Sequence, residues 1–413
     1  MQHPKMRYTY VGIDSHKDTH TAVFLDCFFE KLGEIKFENL PSEFAGFLEN
    51  ALLLRQNDTV LLFGLEDTTA YGRNLTLFLC ENGQKVKHVN SFLVAMERKN
   101  KNITEKTDSV DAECAARVLL SKFGELPDAQ PDDNFWILRT LVVRREFIVN
   151  NNMSLKNHLH SLLTQHYPNY RSIFPNIDSK TALAFFMEYP SPSALKGTSL
   201  EELTAFLLEH SRRQTGEEKA RLILDSLQDT AVEMQEIRDM AVQSAIRQIQ
   251  FNLTELVQVE ALLSQVFHRF DTTLTSMNGI DTASAAKILS CVGDVKRFPT
   301  PAKLARYAGI APVTYASGKT GRQFANQRGN RDLNSLFYRL AQRLTMTVGP
   351  TKKIINPHLY EYYCRKLSEG KTKKQALKCV QRRLVNIIWG MLTYGREYEN
   401  PDMYDLPKEG TEA

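Results

Sequence analysis

Apolar and polar positions alternate in three short runs near the start of the chain. In the first run, Val11 and Ile13 occupy alternate positions. We expect strands over residues 7–14, 21–26 and 33–38, because short polar turns separate these runs. Turns this short join antiparallel neighbours, so the pattern predicts a three-stranded antiparallel meander.

Helical and strand-like patterns then follow in turn. Residues 41–56 carry apolar side chains at helical spacing, residues 59–66 form a continuous apolar run typical of a buried strand, and a second helix is expected over residues 71–82. Residues 85–90 predict a fifth strand, and Thr107 is suited to cap a further helix. The pattern therefore predicts a mixed α/β domain.

Four acids occupy the ends of these predicted elements. Asp14 ends the first strand and Glu66 ends the fourth, whereas Asp108 and Asp111 share one face in the first turn of the helix after the fifth strand. Carboxylates gathered at one sheet edge repel one another unless a divalent cation neutralises them. Ligands that are all oxygen favour Mg²⁺ or Mn²⁺ over zinc, and two such ions can catalyse phosphodiester chemistry.

Each acid taken singly has a simpler explanation. Asp14 could cap a turn, and Asp108 and Asp111 could favour the positive end of a helix dipole. Asp18 and Asp67 are weaker candidates, because each lies inside a predicted turn. The joint pattern is what favours a metal centre.

The middle of the chain is predicted to be helical. Residues 135–163 have many basic side chains, which would suit either RNA contacts or a solvated helix face. Residues 217–278 contain neither glycine nor proline, and their apolar spacing indicates a long helix with a packing seam. This seam could join two protomers as a coiled coil or close a hairpin within one chain.

The C-terminal part combines helical patterns with basic residues. Two helical patterns over residues 274–312 flank Gly279, and Gly293 closes the second. They resemble a helix-hairpin-helix that could hold a phosphate, with a plain helical pair as the alternative. The basic segments 296–343 and 371–383 suit phosphate backbones, although lysines that favour solubility would give a similar composition.

Ser317 is the candidate nucleophile of this part, because its small neighbours Ala316 and Gly318 leave it accessible. The cations that lie close to it in sequence are Lys319, Arg322, Arg328 and Arg331. A serine can attack phosphorus if a base accepts its proton and cations hold the developing charge. A serine–glycine pair is nonetheless far more often a turn, so the residues alone leave both interpretations open.

Composition limits the classes of function. The chain has 413 residues, enough for two or three domains, and its share of hydrophobic residues, 42%, is that of a soluble globular protein. It contains no apolar run long enough to span a membrane, no export signal at its start, and six cysteines that occur singly. We therefore expect a cytoplasmic protein with reduced thiols, and the small net charge of +4 does not by itself establish a nucleic-acid partner.

Four stretches resemble one known family, the IS110 family of insertion-sequence transposases, which are relatives of the Piv pilin invertase. Three of the stretches resemble the family's RuvC-like DEDD domain. They are YVGIDSHKDTHTAVFLD (residues 10–26), GLE (64–66) and KTDSVDAECAARVL (106–119). Its second transposase domain is similar to residues 315–341. Two positions depart from the family, since Gln327 and Asn334 stand where a lysine and an arginine are usual, and we name neither as a site residue.

The resemblance implies roles for the candidate residues. The metal-binding catalytic acids, with Mg²⁺ or Mn²⁺, would be Asp14, Glu66, Asp108 and Asp111. Ser317 would be the nucleophile that forms a phosphoserine link to DNA. The expected contacts to nucleic acid are Lys319, Arg322, Arg328 and Arg331.

The resemblance also implies an architecture. We expect an α/β RuvC/RNase H-like domain with a mixed five-stranded sheet, a long helical coiled-coil region, and a mainly α serine transposase domain with a helix-hairpin-helix. The expected bounds are 1–127, 128–272 and 273–398, followed by a flexible tail over 399–413.

The implied function is that of a DNA transposase or recombinase of a bacterial insertion sequence, located in the cytoplasm with the nucleoid. Its partners would be double-stranded DNA (element ends and target), a noncoding guide RNA from the element, and further copies of the chain in a dimer or tetramer. Two alternatives remain open. One is a metal-dependent nuclease resembling a Holliday junction resolvase, without serine chemistry, and the other is a nucleic-acid scaffold that has lost activity.

Overall fold

A computed structural model describes residues 3–56, 58–66, 68, 70–129, 133–167, 169–211, 216–226, 234–317, 320–324, 326, 329–348 and 353–399. The chain divides into two compact units, residues 1–136 and 137–413. The first unit contains a five-stranded sheet with helices, and the rest of the described chain is mostly helical. The further division at residues 127 and 272 stays a prediction.

The sheet of the first unit is mixed, as the sequence predicts. Its strands are β1 (Tyr8–Ser15), β2 (Thr19–Leu25), β3 (Lys31–Glu38), β4 (Val60–Leu65) and β5 (Lys85–His88). They lie in the order β3-β2-β1-β4-β5. The first three pair antiparallel, which confirms the meander, while β4 lies parallel to both β1 and β5.

Helices cover both faces of this sheet. They are α1 (Pro41–Leu53), α2 (Arg73–Glu81), α3 (Ser91–Asn100) and α4 (Asp108–Lys122). Tyr10 points into the hydrophobic cluster shared with α3 and α4, and its neighbour Val11 points into the cluster shared with α1 and α2. The Thr107 hydroxyl accepts a hydrogen bond from the Val110 backbone N–H, which confirms the predicted cap of α4.

The remaining helices and two short hairpins complete the described chain. The helices are α5 (Asp133–His166), α6 (Tyr170–Ile173), α7 (Lys180–Glu188), α8 (Leu200–His210), α9 (Glu217–Asp225), α10 (Gln235–Phe267), α11 (Thr282–Val292), α12 (Pro301–Tyr307), α13 (Arg331–Leu344), α14 (Pro357–Ser368) and α15 (Lys373–Tyr394). The hairpins are β6 (Val313–Ser317) with β7 (Thr320–Phe324), and β8 (Thr347–Val348) with β9 (Lys353–Ile354). Within the described residues, none of the helices offers an apolar stretch that would reach across a membrane.

The two longest helices, α5 and α10, pack antiparallel within one chain. Val142 shares a hydrophobic cluster with Leu263, and Leu163 shares another with Ile246, so the start of α5 meets the end of α10. Of the two interpretations of the seam, the structure contains the intrachain hairpin. A coiled coil between protomers stays a prediction.

The long helix with a packing seam that the apolar spacing predicts is confirmed by α10, but this helix does not reach back to residue 217. The helix α9 ends at Asp225, and α10 is a separate helix that begins after Met234. Met234 has a left-handed backbone with φ of 59°, which a helix cannot continue through. Met234 and Ile237 are 72% and 58% exposed, so the buried seam begins only at Val242.

Helices α11 and α12 occupy the segment that resembles a helix-hairpin-helix. Gly279 and Gly293 have φ of 97° and 63°, and glycine reaches such values without strain. The helical pattern that Gly293 closes is confirmed as α11, whereas only a short 3-10 turn, Leu274–Ser276, stands directly before Gly279. A helix-hairpin-helix that binds phosphate stays a prediction.

Candidate functional site

The register of the parallel strands brings the first two acids together. Ile13 of β1 pairs with Leu65 of β4, and the residues that follow them are Asp14 and Glu66. Because parallel strands end at the same sheet edge, these two residues lie side by side at the ends of neighbouring strands.

Close packing of α4 on β1 brings the other two acids to the same edge. A Cβ at Gly12 would overlap the Ala112 carbonyl oxygen and the Ala116 backbone nitrogen, so only glycine permits this approach. The first turn of α4, capped by Thr107, carries Asp108 and Asp111. The N-terminus of a helix also favours negative charge.

A histidine links two of the acids. The Nε2 atom of His16 lies 3.1 Å from Asp14 Oδ2 and 3.2 Å from Asp108 Oδ1. The three side chains offer ligand atoms that all lie within 4.8 Å of one another, an arrangement that could hold a metal ion. The Lys36 ammonium lies 3.8 Å from Asp108 Oδ2. The sequence analysis named neither His16 nor Lys36, although the position of His16 two residues after Asp14 was an available signal.

The remaining two acids, Glu66 and Asp111, interact electrostatically with the first two. The pKa of Glu66 is raised to about 7, chiefly by burial and further by the Asp14 and Asp111 carboxylates, against a hydrogen bond from Ser91 that lowers it. Asp111 is 9% exposed, and Arg98 of α3 forms an ion pair with it. Glu66 is therefore close enough to both aspartates for their charges to act on it.

Asp14 responds to its neighbours in a similar way. Burial raises its pKa, His16 lowers it, and Asp111 and Asp108 raise it. The structure thus brings all four predicted acids into one electrostatic cluster. These mutually repelling oxygen donors fit a hard divalent cation, whose charge would relieve the repulsion.

Ser317 is the last residue of β6. It pairs in register with Thr320, so two residues connect β6 and β7. In the described backbone, the candidate nucleophile therefore stands at the end of a strand. The sequence analysis left a turn at Ser317 open as an alternative and did not predict the hairpin.

The predicted nucleic-acid contacts are only partly described. Lys319 and Arg328 lie outside the described residues, and Arg322 pairs through its backbone with Tyr315 in the hairpin. Arg331 is exposed at the start of α13, which the Asn330 side chain caps. The structure therefore places Arg331 on the surface, and its contact with nucleic acid stays a prediction.

Asn334 has a structural contact. Its side-chain amide donates a hydrogen bond of 2.9 Å to the Ala308 carbonyl oxygen. A contact of this kind anchors α13 to the end of α12, and it agrees with leaving Asn334 out of the candidate site.

Three basic residues of α5 form ion pairs with acidic side chains. Arg144 lies 3.5 Å from Glu255, and Arg145 lies 2.8 Å from Glu260, both on α10. Lys156 forms an ion pair with Asp178. Of the two interpretations of this helix, these pairs favour a solvated structural face over RNA contacts for the three cations.

Comparisons with known proteins find two transposase domains along this chain. Residues 11–168 match the DEDD transposase family of IS110 elements, and residues 271–363 match the transposase IS116/IS110/IS902 family. An insertion element IS116 protein of Streptomyces clavuligerus is 28% identical over 93% of this chain and 94% of its own length. An insertion element IS900 protein of Mycobacterium paratuberculosis is 25% identical over 93% of this chain and 95% of its own.

A relative named for DNA inversion extends the similarity. The pilin gene-inverting protein of Moraxella bovis is 22% identical over 95% of this chain and 98% of its own length. The matches cover both the unit with the acid cluster and the helical unit with Ser317. This chain therefore belongs to the IS110/IS116 family of insertion-element transposases, a family of transposases and site-specific recombinases.

Proposed function

We propose that this protein cuts and rejoins DNA strands through a covalent link between Ser317 and a DNA phosphate. Family membership implies DNA as the substrate. The observation that carries the proposal is the convergence of four carboxylates at one sheet edge, where the pKa of Glu66 is raised to about 7. Clusters of carboxylates that suppress one another's ionisation are typical of functional sites.

The acid cluster would hold Mg²⁺ or Mn²⁺. Asp14, Asp108 and His16 offer ligand atoms close to one another, while Arg98 orients Asp111 through their ion pair. A divalent cation bound there would neutralise phosphate charge and assist the attacking and leaving oxygens. Glu66 would join the ligand set once it has lost its proton.

Ser317 would supply the attacking oxygen. A bond forms between serine Oγ and phosphorus, and the bond from phosphorus to the leaving strand oxygen breaks. The hydroxyl proton passes to a base, and the leaving oxygen gains a proton. Because the phosphoserine link keeps the energy of the phosphodiester, the hydroxyl of a new strand can reverse the step without ATP.

Assembly and guidance complete the proposal. Each serine cuts one strand, so the exchange of two duplexes needs four serines and a dimer of dimers is the natural assembly. A guide RNA from the element's own flank would choose the DNA sequences by base pairing, as the resemblance to the IS110 family suggests. The name of the pilin gene-inverting relative supports inversion as one outcome of strand exchange.

The serine chemistry is tested by trapping the covalent intermediate. Wild-type protein on labelled DNA should give a protein–DNA species that survives denaturant. Ser317→Ala should bind DNA normally but form neither adduct nor product, because the hydroxyl is gone. Ser368→Ala, which changes an exposed serine of α14, is the matched control and should form the adduct.

The second candidate function is a metal-dependent nuclease that resembles a junction resolvase. It is favoured by one observation, that the first unit alone contains all four acids. Cleavage by Ser317→Ala, or wild-type products with only free phosphate and hydroxyl ends, would replace the serine mechanism with this one.

Guidance by RNA is tested by isolating nucleic acid from the purified protein. We expect a discrete structured RNA whose release rises steeply with salt concentration. Recombination by protein that carries no RNA would show that this member works without a guide.

A further inference from the structure

A basic cavity of about 510 Å³ lies between α14, α15 and the segment that precedes β6. Four cations line it: Lys371, Lys378, Arg382 and Arg383. Ile310 and Pro312 form an apolar wall, and none of its described lining residues is acidic. We call this space the α15 cavity. Its volume lies in the range of pockets that enclose small organic ligands.

The two arginines of the α15 cavity make contacts that position their side chains. Arg382 donates a hydrogen bond of 3.1 Å to the Pro301 carbonyl oxygen, and the Arg383 guanidinium lies 5.0 Å from the centre of the Tyr362 ring. Burial lowers the pKa of Lys378, because its ammonium is partly removed from water. Several cations that line one cavity favour an anionic ligand.

A second cavity of about 540 Å³ shares Lys378 with the first. One of its walls is the face of α13 that carries Arg331, Ser335 and Tyr338, which are hydrogen-bond donors, and its described lining is also free of acids. Two neighbouring spaces with donors and cations, joined by one lysine, match the repeated phosphates of a nucleic-acid strand better than a single small anion.

We propose that the α15 cavity binds one unpaired nucleotide of a nucleic-acid strand. The base and sugar would pack on the Ile310 and Pro312 wall, the phosphate would contact Lys371 and the arginines, and Lys378 would lie between this phosphate and the next. A base stacked in a duplex cannot enter such a cavity, so the nucleotide must be unstacked.

The cavity is near Ser317 along the chain. Ser317 lies five positions after Pro312, and a chain of that length spans at most about 18 Å. The nucleotide would therefore be held within a few nucleotides of the strand position that the serine attacks. The inference rests on the proposed function in taking nucleic acid as the ligand.

Binding of short nucleotides to the full-length protein, freed of nucleic acid, tests the proposal. The 5′-phosphorylated dinucleotide pTpT should bind at least about 10-fold more tightly than inorganic phosphate or unphosphorylated TpT. The ribonucleotide pUpU should bind as well, and its affinity relative to pTpT tells whether the cavity prefers an RNA or a DNA strand. Equal affinity for pTpT and inorganic phosphate would overturn the proposal.

Two lysines of one helix give matched variants. Lys378→Met should weaken pTpT binding about 10-fold, since it removes the shared charge and keeps a similar stem, while Lys378→Arg should retain binding. Lys374→Met changes an exposed lysine of α15 outside both cavities and should stay within about 2-fold of wild type. An equal loss in the Lys378 and Lys374 methionine variants, or none in either, would overturn the site.

The outcome is separable from that of the serine mechanism. If wild type forms the adduct but Lys378→Met binds pTpT as tightly as wild type, the cavity proposal alone is wrong. Conversely, if Lys378→Met weakens pTpT binding and Lys374→Met does not, but wild type forms no adduct, the serine mechanism alone is wrong.

Discussion

The acid cluster of the first unit and the α15 cavity of the second carry opposite charges that are balanced in different ways. His16 and Lys36 lie within 4 Å of Asp108, and Arg98 forms an ion pair with Asp111. The α15 cavity has four cations and no acid among its described lining residues. The cluster therefore fits a small cation, whereas the cavity fits an extended anion.

The largest expected effect comes from the packing that builds the acid cluster. Gly12→Ala would push α4 away from β1, because the new Cβ overlaps the backbone at Ala112 and Ala116. We expect the first unit to lose about 3 kcal/mol of its free energy of unfolding. Hydrogen exchange should show lost protection in the strands of the first unit, with protection in α15 unchanged.

Gly46→Ala is the matched control for this substitution. Gly46 lies within α1, and a Cβ there meets nothing within 4 Å, so this change should stabilise the protein by about 0.5–1 kcal/mol. Wild-type stability in Gly12→Ala would contradict the close contact between β1 and α4.

The next largest effect concerns the charge of the cluster itself. Asp14→Asn should weaken Mg²⁺ binding at least about 10-fold and abolish strand exchange, because it removes a ligand oxygen charge. Stability without metal should not fall, since the substitution also relieves repulsion with Asp108 and Asp111. Calorimetric metal titration is the measurement. Asp18→Asn, in the exposed turn after β1, should bind metal as wild type does, and a loss there equal to that of Asp14→Asn would contradict the shared site.

A smaller effect is expected from pH, and it acts on the cluster through Glu66. Its pKa in the folded protein is about 7, above the ordinary value of 4.5, so the folded state holds a proton between these values that the unfolded state has lost. Without metal, the stability contributed by Glu66 therefore increases as pH falls from about 7 towards 4.5. Metal affinity should decrease over the same window, because protons compete for the ligand.

Glu66→Gln separates this contribution from the rest of the protein. The variant cannot titrate at this position, so its stability should vary less with pH between 4.5 and 7 than that of wild type. Denaturant unfolding at pH 5, 6 and 8 is the measurement, and parallel pH profiles for the two proteins would assign the dependence to other groups.

The acid cluster was more predictable from sequence than its surroundings. The apolar patterns of the strands and the cap of the helix predicted that Asp14, Glu66, Asp108 and Asp111 lie at the ends of elements. Local sequence patterns are sufficient for a prediction of this kind. The helix α3 (Ser91–Asn100) was missed, although Asn90 is a suitable cap. Ser91 and Arg98, which contact Glu66 and Asp111, were missed with it, because such contacts join residues far apart in sequence.

Three features of the helical unit were not predicted from the sequence, each for a different reason. The hairpin of β6 and β7 had a local signal in the sequence, since a glycine directly follows Ser317 between two strand-like runs, but the sequence analysis interpreted the segment by its charge. The interruption before α10 has no such signal, because Met234 is not a residue type that predicts a left-handed backbone. The α15 cavity depends on three segments that meet only after folding.

The smallest expected effect separates cations that have acidic partners from cations that do not. Arg145 is paired with Glu260, whereas Arg331 makes no ion pair within the described part of the chain. A cation that contacts a phosphate releases counterions on binding, so Arg331→Gln should reduce the slope of log affinity against log salt by about 1. Arg145→Gln should leave that slope unchanged and cost about 0.5 kcal/mol of stability through its lost surface pair. DNA binding measured between about 50 and 200 mM salt is the test. The same slope change in both variants would show that pairing with an acid does not keep an arginine of this protein away from DNA.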